Sequence, residues 1–178
     1  MATIGSLGVD AFKARLAGGG ARANLFMVTM TFPAYAGGNP ELCSFLIKGA
    51  SLPASTIANV DVGFRGRKLK VAGDRTFEPW TITVINDTTM DIRNSFERWM
   101  DGMNSHVINV GYQNPLAYQS DLRIQQLDKT ASVTKTYDLR GAFPTSVSAI
   151  EMNYDTNDAV EEFTVELQYQ YWVSHTTT

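Results

Sequence analysis

A strict alternation of apolar and polar residues near the end of the chain is the feature that most constrains its fold. The apolar members are Phe163, Val165, Leu167, Tyr169 and Tyr171, and the members between them are Thr164, Glu166, Gln168 and Gln170. A period of two places every apolar side chain on one face of a β-strand and every polar side chain on the other. The pattern therefore predicts a half-buried strand over 163–171.

Several shorter segments predict further strands, most of them with the same period. They lie at 23–32, 42–48, 56–64, 67–71, 76–85, 121–127, 133–139 and 143–152. Gly73 and Asp74 predict a turn between two of them. Short turns, rather than repeated helices, join the strands, which favours antiparallel pairing. We therefore expect a mainly β protein with two packed antiparallel sheets, arranged as a sandwich or barrel.

Two segments have helical periodicity instead. Val9, Phe12 and Leu16 predict a short helix, which the glycines at 18–20 end. A longer helix follows Thr88, which fits a capping box together with Asp91. The apolar stripe of this second helix consists of Ile92, Phe96, Trp99, Met100 and Met103. The stripe predicts one substantial helix packed against a sheet.

Length and composition predict one domain over 1–178, with an N-terminal helix and flexible arm at 1–22 and a frayed tail at 174–178. Hydrophobic residues make up 44% of the 178 residues, which is enough for a packed core. The net charge is −3, whereas a protein that binds nucleic acid through its phosphates is normally positively charged. Without a long apolar run or a leader pattern, we expect a chain made in the cytoplasm and no membrane insertion.

The groups on which catalysis and metal binding depend are scarce. His106 and His175 have no neighbours at ligand spacing. Cys43, the single cysteine, lies in an apolar run and is expected in the core. We therefore expect no enzyme activity, no catalytic residue, no metal and no cofactor. A β-barrel binding module, or an enzyme whose site assembles only on folding, remains open as an alternative.

One basic run, Arg65, Arg67, Lys68 and Lys70, has three interpretations. A nucleic-acid patch would need interleaved aromatic platforms, and only Phe64 is near. The cations would also protect the edge of a hairpin against unwanted strand pairing. The third interpretation is a contact with an acidic surface of a neighbouring subunit.

The polar face of the last strand, with Glu166, Gln168 and Gln170, has two interpretations. It faces solvent on a monomeric sandwich, or it lines a wide aqueous pore made by several copies. Pairing strand edges between copies in a closed ring would also remove exposed backbone. The periodicity alone favours neither interpretation.

Three stretches of the chain carry a likeness to a known family. The first is a strand that follows Leu52-Pro53 and ends in Gly63-Phe64-Arg65-Gly66. The second is the segment Phe77-Glu78-Pro79-Trp80, which leads into Thr81-Ile82-Thr83-Val84. The third is the helix that begins after Asn86-Asp87 and contains Phe96, Glu97 and Trp99. In this order and spacing they resemble the tail tube proteins of contractile-tailed bacteriophages, the T4-like type. The segment from Gly141-Ala142-Phe143-Pro144 onward is similar to the closing half of that family, so the likeness covers about 26–173.

The resemblance implies a phage tail tube-like fold of two orthogonally packed sheets with a flanking helix and a long β-hairpin. It implies hexameric rings that stack into a hollow tube within a contractile sheath, through which viral DNA passes to the host cell without specific binding. The partners it implies are the sheath protein, the baseplate or initiator, the tape measure protein and the tail terminator. The implied location is the virion tail, after assembly in the host cytoplasm.

The same resemblance implies one alternative function. This is the inner tube of a type VI secretion system or of an extracellular contractile injection system, which carries protein effectors. In both cases the basic run Arg65, Arg67, Lys68 and Lys70 falls in the family's stacking hairpin, which favours a contact between rings. The resemblance does not identify the lumen residues, and the polar face of the last strand supplies the candidates Glu166, Gln168 and Gln170.

Overall fold

A computed structural model describes residues 8–16 and 19–177. Its helices are α1 (Val9–Arg15), α2 (Pro40–Leu46), α3 (Asp91–Met103) and α4 (Pro115–Tyr118). Its strands are β1 (Phe26–Met30), β2 (Ile47–Ala50), β3 (Ser55–Phe64), β4 (Arg67–Phe77), β5 (Trp80–Ile85), β6 (Ser120–Leu127), β7 (Val133–Val147), β8 (Glu162–Gln168) and β9 (Tyr171–Ser174). The mainly β composition predicted from the sequence is confirmed.

The strands form two antiparallel sheets and a separate hairpin. Sheet A has the order β1-β6-β7-β9, and sheet B has the order β7-β8-β5-β2. The first part of β7, up to residue 142, pairs in sheet A, and residues 143–147 pair in sheet B. The strands β3 and β4 pair with each other as a two-stranded sheet. This arrangement confirms the prediction of two antiparallel sheets with a long hairpin.

The passage of β7 from one sheet to the other depends on Gly141. Its φ is 64°, a value that residues with a Cβ rarely adopt. An added Cβ would lie 3.0 Å from Gln170 Cγ and 3.1 Å from Gln119 Oε1. A strand that changes sheets at a bend forms a corner between two packed sheets.

We expect Gly141→Ala to lower the free energy of unfolding by about 1–3 kcal/mol, because alanine would hold the positive φ under strain. Urea unfolding of the variant and the native chain measures the difference. Gly63→Ala is the matched control, since a Cβ at Gly63 would meet nothing within 4 Å. Equal stability of Gly141→Ala and the native chain would show that the bend does not need glycine.

The inner faces of the two sheets share one hydrophobic core. Sheet A contributes Val28, Met30, Leu122, Ile124 and Leu139. Sheet B contributes Trp80, Ile82, Val84, Phe163, Val165 and Leu167. The helix α3 adds Ile92, Phe96 and Trp99, so the apolar stripe predicted for this helix does face the core. Burial of this apolar surface is the main force that holds the sheets together.

The capping box predicted at Thr88 and Asp91 is wrong. The N-cap residue of α3 is Met90, with a φ of 53° and no hydrogen bond from a capping side chain. The Asp91 N–H donates instead to the carboxylate of Asp87, at 3.1 Å. A hydrogen bond from the Thr89 hydroxyl lowers the pKa of Asp87. An ionised carboxylate therefore lies at the positive end of the helix dipole.

The strand predicted at 42–48 is wrong over most of its length, because residues 40–46 form α2 and β2 begins at Ile47. The side chain of Asn39 caps α2 by accepting hydrogen bonds from the N–H groups of Glu41 and Leu42, each at 3.1 Å. Pro40 occupies the first turn, where its missing N–H costs little. Cys43 is buried on this helix, as the apolar run predicts.

The turn predicted at Gly73 and Asp74 is also wrong. Both residues lie inside β4, which continues to Phe77. The register with β3 shifts opposite them, between Ile57 and Asn59. A bulge of this kind takes up an extra residue without ending the strand.

Two strand boundaries in the C-terminal half differ from the prediction. The segments predicted as separate strands at 133–139 and 143–152 are the single strand β7, which ends at Val147. The strand predicted over 163–171 is interrupted, because β8 ends at Gln168 and β9 begins at Tyr171. Tyr169 is buried within the interruption, so the alternation of burial continues where the strand pairing stops.

The ends of the chain are described in part. The helix α1 confirms the predicted N-terminal helix, while residues 1–7, 17 and 18 of the predicted arm lie outside the described residues. The tail predicted to fray at 174–178 forms a turn as far as Thr177, where the Ser174 N–H donates to Thr177 Oγ1 at 2.8 Å. Thr178 lies outside the described residues. In the part of the chain that the structure describes, no helix has the length and apolar character needed to cross a membrane.

Candidate assembly interface

The hairpin of β3 and β4 contains the longest unbroken run of exposed residues in the described fold. Its ladder runs from the pair Ser55–Phe77 to the pair Phe64–Arg67, and residues 56–72 are all exposed. A hairpin of two strands is at best marginally stable in water unless a further surface covers one of its faces. Its exposure therefore makes it the first candidate for a contact with another chain.

Aromatic side chains anchor the base of the hairpin to the two sheets. The Trp80 indole N–H donates to the Ser51 carbonyl oxygen at 2.6 Å. The Trp172 indole N–H donates to the Ala54 carbonyl oxygen at 3.3 Å. The Phe77 and Tyr169 rings lie 5.9 Å apart between centroids. The body of the protein thus fixes the point and direction from which the hairpin leaves it.

One face of the hairpin is apolar and exposed. The cross-strand pairs Val60–Val71 and Val62–Leu69 lie on this face, followed by Phe64 at the tip. Their exposed fractions run from 46% for Val71 to 69% for Phe64. Contiguous exposed apolar surface of this kind is typical of a site that contacts another protein, a membrane or a ligand.

The tip of the hairpin is a two-residue turn. Arg65 and Gly66 have φ values of 47° and 82°, which the tightest hairpin turn requires at both central positions. The Arg65 guanidinium carbon lies 5.4 Å from the centre of the Phe64 ring. The tip therefore presents an aromatic ring together with a cation.

The structure divides the four cations of the predicted contact between two faces and the turn. Arg67 lies opposite Phe64, at the end of the apolar face. Lys68 and Lys70 lie on the other face, where Lys70 is opposite Asp61 and the Lys68 ammonium is 3.4 Å from the Asp61 carboxylate. Arg65 lies in the turn. All four remain at the outer half of the hairpin, so the tip is basic on every side.

The outer face of sheet B is polar and nearly neutral. Glu166 and Gln168 lie on this face of β8, where Glu166 is paired across the ladder with Thr81 and its neighbour Thr164 with Thr83. The ammonium of Lys48, on β2, is 2.5 Å from the carboxylate of Glu162.

The third predicted lumen residue lies elsewhere. Gln170 falls in the link between β8 and β9, where its N–H donates to the Arg140 carbonyl oxygen at 2.9 Å. It is therefore close to the bend at Gly141 rather than on the polar face of sheet B.

The outer face of sheet A is charged but internally paired. The guanidinium of Arg123 is 2.7 Å from the carboxylate of Asp138, and that of Arg140 is 2.5 Å from the carboxylate of Asp121. The hydrogen bond from Arg123 lowers the pKa of Asp138, and the same hydrogen bond raises the pKa of Arg123. This face therefore offers few unpaired charges to a partner.

The reactive side chains singled out in the sequence lie apart from one another. Burial raises the pKa of Cys43 to about 12. His106 is exposed and lies 3.0 Å from the carboxylate of Asp101, while His175 is in the C-terminal turn. Among residues 8–16 and 19–177 no cluster of His, Cys, Asp and Glu has the arrangement of a metal site.

A second exposed surface was missed by sequence reasoning. The loop of residues 148–161, between β7 and β8, contains Glu151, Asp155, Asp158 and Glu161 and neither Lys nor Arg. Its apolar side chains Met152, Tyr154 and Val160 are exposed, and the least exposed of them, Val160, is at 66%. The signal that could have found it is this combination of acidic and large apolar residues in a segment without strand periodicity.

Comparisons with known proteins all point to the same family. The family model of the phage tail tube proteins matches residues 21–175. The tail tube protein gp19 of Enterobacteria phage T4 is 35% identical over 164 residues, which cover 92% of this chain and 97% of that protein. The tail tube protein of Serratia phage KSP90 is 31% identical over 166 residues, which cover 90% of this chain and 93% of that protein.

Solved structures show the same fold at much lower identity. A chain from the baseplate of the anti-feeding prophage is superimposed with a TM-score of 0.67 at 16% identity, covering 87% of this chain and 95% of that chain. A chain from the sheath-tube complex of an extracellular contractile injection system gives a TM-score of 0.58 at 14% identity, covering 91% of this chain and 96% of that chain.

Proposed function

The chain belongs to the phage tail tube proteins of contractile tails, and from this premise we propose that six copies close into a ring and that such rings stack into a hollow tube. The observation that carries the proposal is the exposed hairpin of β3 and β4, whose apolar face requires a second surface. The proposal makes the whole chain, from 1 to 178, one tube domain.

Ring closure has support in the ends of the two sheets. Sheet A ends at β1 and β9, and sheet B ends at β2 and at the 143–147 part of β7, so each of these segments has one edge that no other described strand pairs. Free edges attract unwanted pairing, and a closed ring covers them with the edges of neighbouring copies. A ring of this kind needs two different surfaces on each copy, which meet head to tail.

Stacking of the rings is assigned to the hairpin tip. Arg65 and Arg67 lie beside Phe64 there, and Lys68 and Lys70 lie on the opposite face of the same hairpin end. An aromatic ring beside cations is a common centre of a protein contact, because aromatic residues and arginine bury large areas with directional bonds. In this proposal the tip of one ring contacts the next ring.

The lumen is assigned to the outer face of sheet B. Glu166 and Gln168 lie on it among threonines, and the cation of Lys48 is neutralised by Glu162. A wall with little positive charge does not bind phosphates, so DNA passes along it without being retained. Gln170 belongs to the proposed lumen at the corner near Gly141.

The remaining parts of the proposal follow from the family. The tube lies within a contractile sheath and contacts a baseplate or initiator, a tape measure protein and a tail terminator, after assembly in the host cytoplasm. Its role is structural rather than enzymatic. The injection-system tubes share the fold, but the identity of 35% to a phage T4 protein favours a DNA conduit over a conduit for protein effectors.

Negative-stain electron microscopy of the concentrated, purified full chain tests the proposal. We expect hollow cylinders of uniform width, and six-fold symmetry in end views of single rings. The matched sample is the same chain at the lowest concentration that can be imaged, where mass action favours free subunits. A chain that stays monomeric at high concentration, and also with a baseplate initiator added, would refute it.

A further inference from the structure

The hairpin and the acidic loop of residues 148–161 lie at opposite ends of sheet B. Strand β5 begins at Trp80, directly after the hairpin, and β8 begins at Glu162, directly after the loop. The two strands are antiparallel, with Trp80 opposite Leu167 and Ile85 opposite Glu162. The hairpin therefore leaves sheet B at the end of these strands that contains Trp80 and Leu167. The loop joins the strands at the opposite end, which contains Ile85 and Glu162.

The acidic loop forms an open cleft with an apolar lining. The cleft has a volume of about 530 Å³, and Ile150, Met152, Tyr154 and Val160 line it. The Tyr154 side chain is fully exposed, and that of Met152 is 77% exposed. Glu151 and Glu161 lie in the lining too. The cleft thus offers apolar contact area with carboxylates at its rim.

The hairpin tip is complementary to this cleft in both respects. It presents the exposed apolar side chains Phe64 and Leu69. Beside them are the cations Arg65, Arg67 and Lys68, of which Lys68 alone lies within 4 Å of a carboxylate among the described residues, that of Asp61 at 3.4 Å. Opposite potentials on facing surfaces steer the encounter and exclude wrong partners.

We propose that the acidic cleft of residues 150–162 receives the hairpin tip of a second copy of this chain, in the next ring. The inference rests on the proposed function and names the surface that the stacking hairpin contacts. A head-to-tail contact requires complementary patches at the two ends of one molecule, and this chain has them at the two ends of sheet B. Repetition of the same contact then extends the assembly along one axis.

Cross-linking of preformed tubes tests the contact. The variant Lys68→Cys with Thr156→Cys places one thiol at the tip and one in the cleft. The native Cys43 is buried and its thiol pKa is about 12, so it does not compete. We expect a short bismaleimide to give a ladder of covalent species that continues beyond six chains. Each single variant should give no species larger than a dimer.

The matched control pairs Lys68→Cys with Gln113→Cys, an exposed position outside the cleft. Tubes of this control should give no ladder. Tubes of the test variant that also give no ladder would overturn the inference and leave the tube function intact. A ladder that stops at the number of chains in one ring would overturn it too, since the tip would then contact a neighbour in the same ring. A chain that forms no tubes at all would refute the proposed function itself.

A charge exchange tests the same contact without cross-linker. Asp155 and Asp158 lie in the acidic loop, next in sequence to the lining residues Tyr154, Thr156 and Ala159. We expect Asp155→Lys with Asp158→Lys to abolish tube formation, and the addition of Arg67→Glu and Lys68→Glu to restore it. The matched control Asp155→Asn with Asp158→Asn removes the charges without reversing them and should weaken assembly less. A combined variant that assembles no better than either parent would show that the two surfaces do not face each other.

Discussion

Arg67→Glu together with Lys68→Glu is expected to leave the subunit folded and to prevent it from forming tubes. Both side chains lie at the exposed tip of the hairpin, away from the core. Replacing these two cationic side chains by glutamate places negative charges in a contact that we assign to positive charges. A loss of about 1.4 kcal/mol per contact already raises the dissociation constant about tenfold, and every subunit of the tube repeats the loss. Sedimentation velocity measures the assembly, and circular dichroism measures the fold.

The matched control reverses one lysine and one arginine elsewhere. Lys13→Glu with Arg15→Glu makes the same change of net charge on the exposed helix α1. This control should assemble as the native chain does. If the hairpin variant forms tubes at the same concentration as the native chain, the tip does not form the contact between rings.

Trp99→Ala is expected to lower the free energy of unfolding by about 3–5 kcal/mol, the range for loss of a fully buried large aromatic side chain. Trp99 is 0% exposed. Its ring is stacked on that of Phe96, with 6.1 Å between centroids, and its indole N–H donates to the Tyr118 carbonyl oxygen at 2.7 Å. The substitution thus leaves a cavity and also removes the partner of that carbonyl.

The measurement is urea unfolding of subunits kept apart by the hairpin double variant, so that assembly does not add to stability. Trp99→Phe is the matched control, because it keeps an aromatic ring in the core while it loses the hydrogen bond to Tyr118 and part of the indole volume. It should cost less than the alanine variant. A loss below about 1 kcal/mol for Trp99→Ala would mean that the stripe of α3 is not a core element.

The hairpin and the alternating strand could be predicted because their physics is local. The period of two in Val60, Val62 and Phe64 fixes a strand face without reference to the rest of the chain. A face of this hairpin is exposed or buried according to whether another element covers it. The periodicity of the hairpin residues does not predict this. The same limit applies to Gln170, which continues the alternation but lies beyond the end of β8.

The helix α2 was missed because a short apolar run is ambiguous between strand and helix. Asn39 followed by Pro40 was the signal that could have decided, since this pair is typical of a helix start. The start of α3 was misplaced for a different reason. Asp87 accepts a hydrogen bond from the Asp91 N–H across a turn in which Met90 has a positive φ. A methionine does not predict this conformation, because residues other than glycine, asparagine and aspartate rarely adopt it.

Of the candidate site, the basic half was predictable and the acidic half was not. Four cations close together in the sequence stay close together on any hairpin. The loop of residues 148–161 has no regular period, so its apolar side chains form a cleft only once β7 and β8 fix its two ends.

The strand β7, which belongs to both sheets, also determines how a subunit responds to mechanical force. One continuous backbone crosses from sheet A to sheet B through Gly141, so tension on either sheet is transmitted through covalent bonds. Because β7 is continuous, sliding the sheets past each other has to break either its ladder with β8 or its ladders with β6 and β9. Each subunit therefore resists shear as a rigid block, and the bending of a filament made of such blocks is confined to the joints between them.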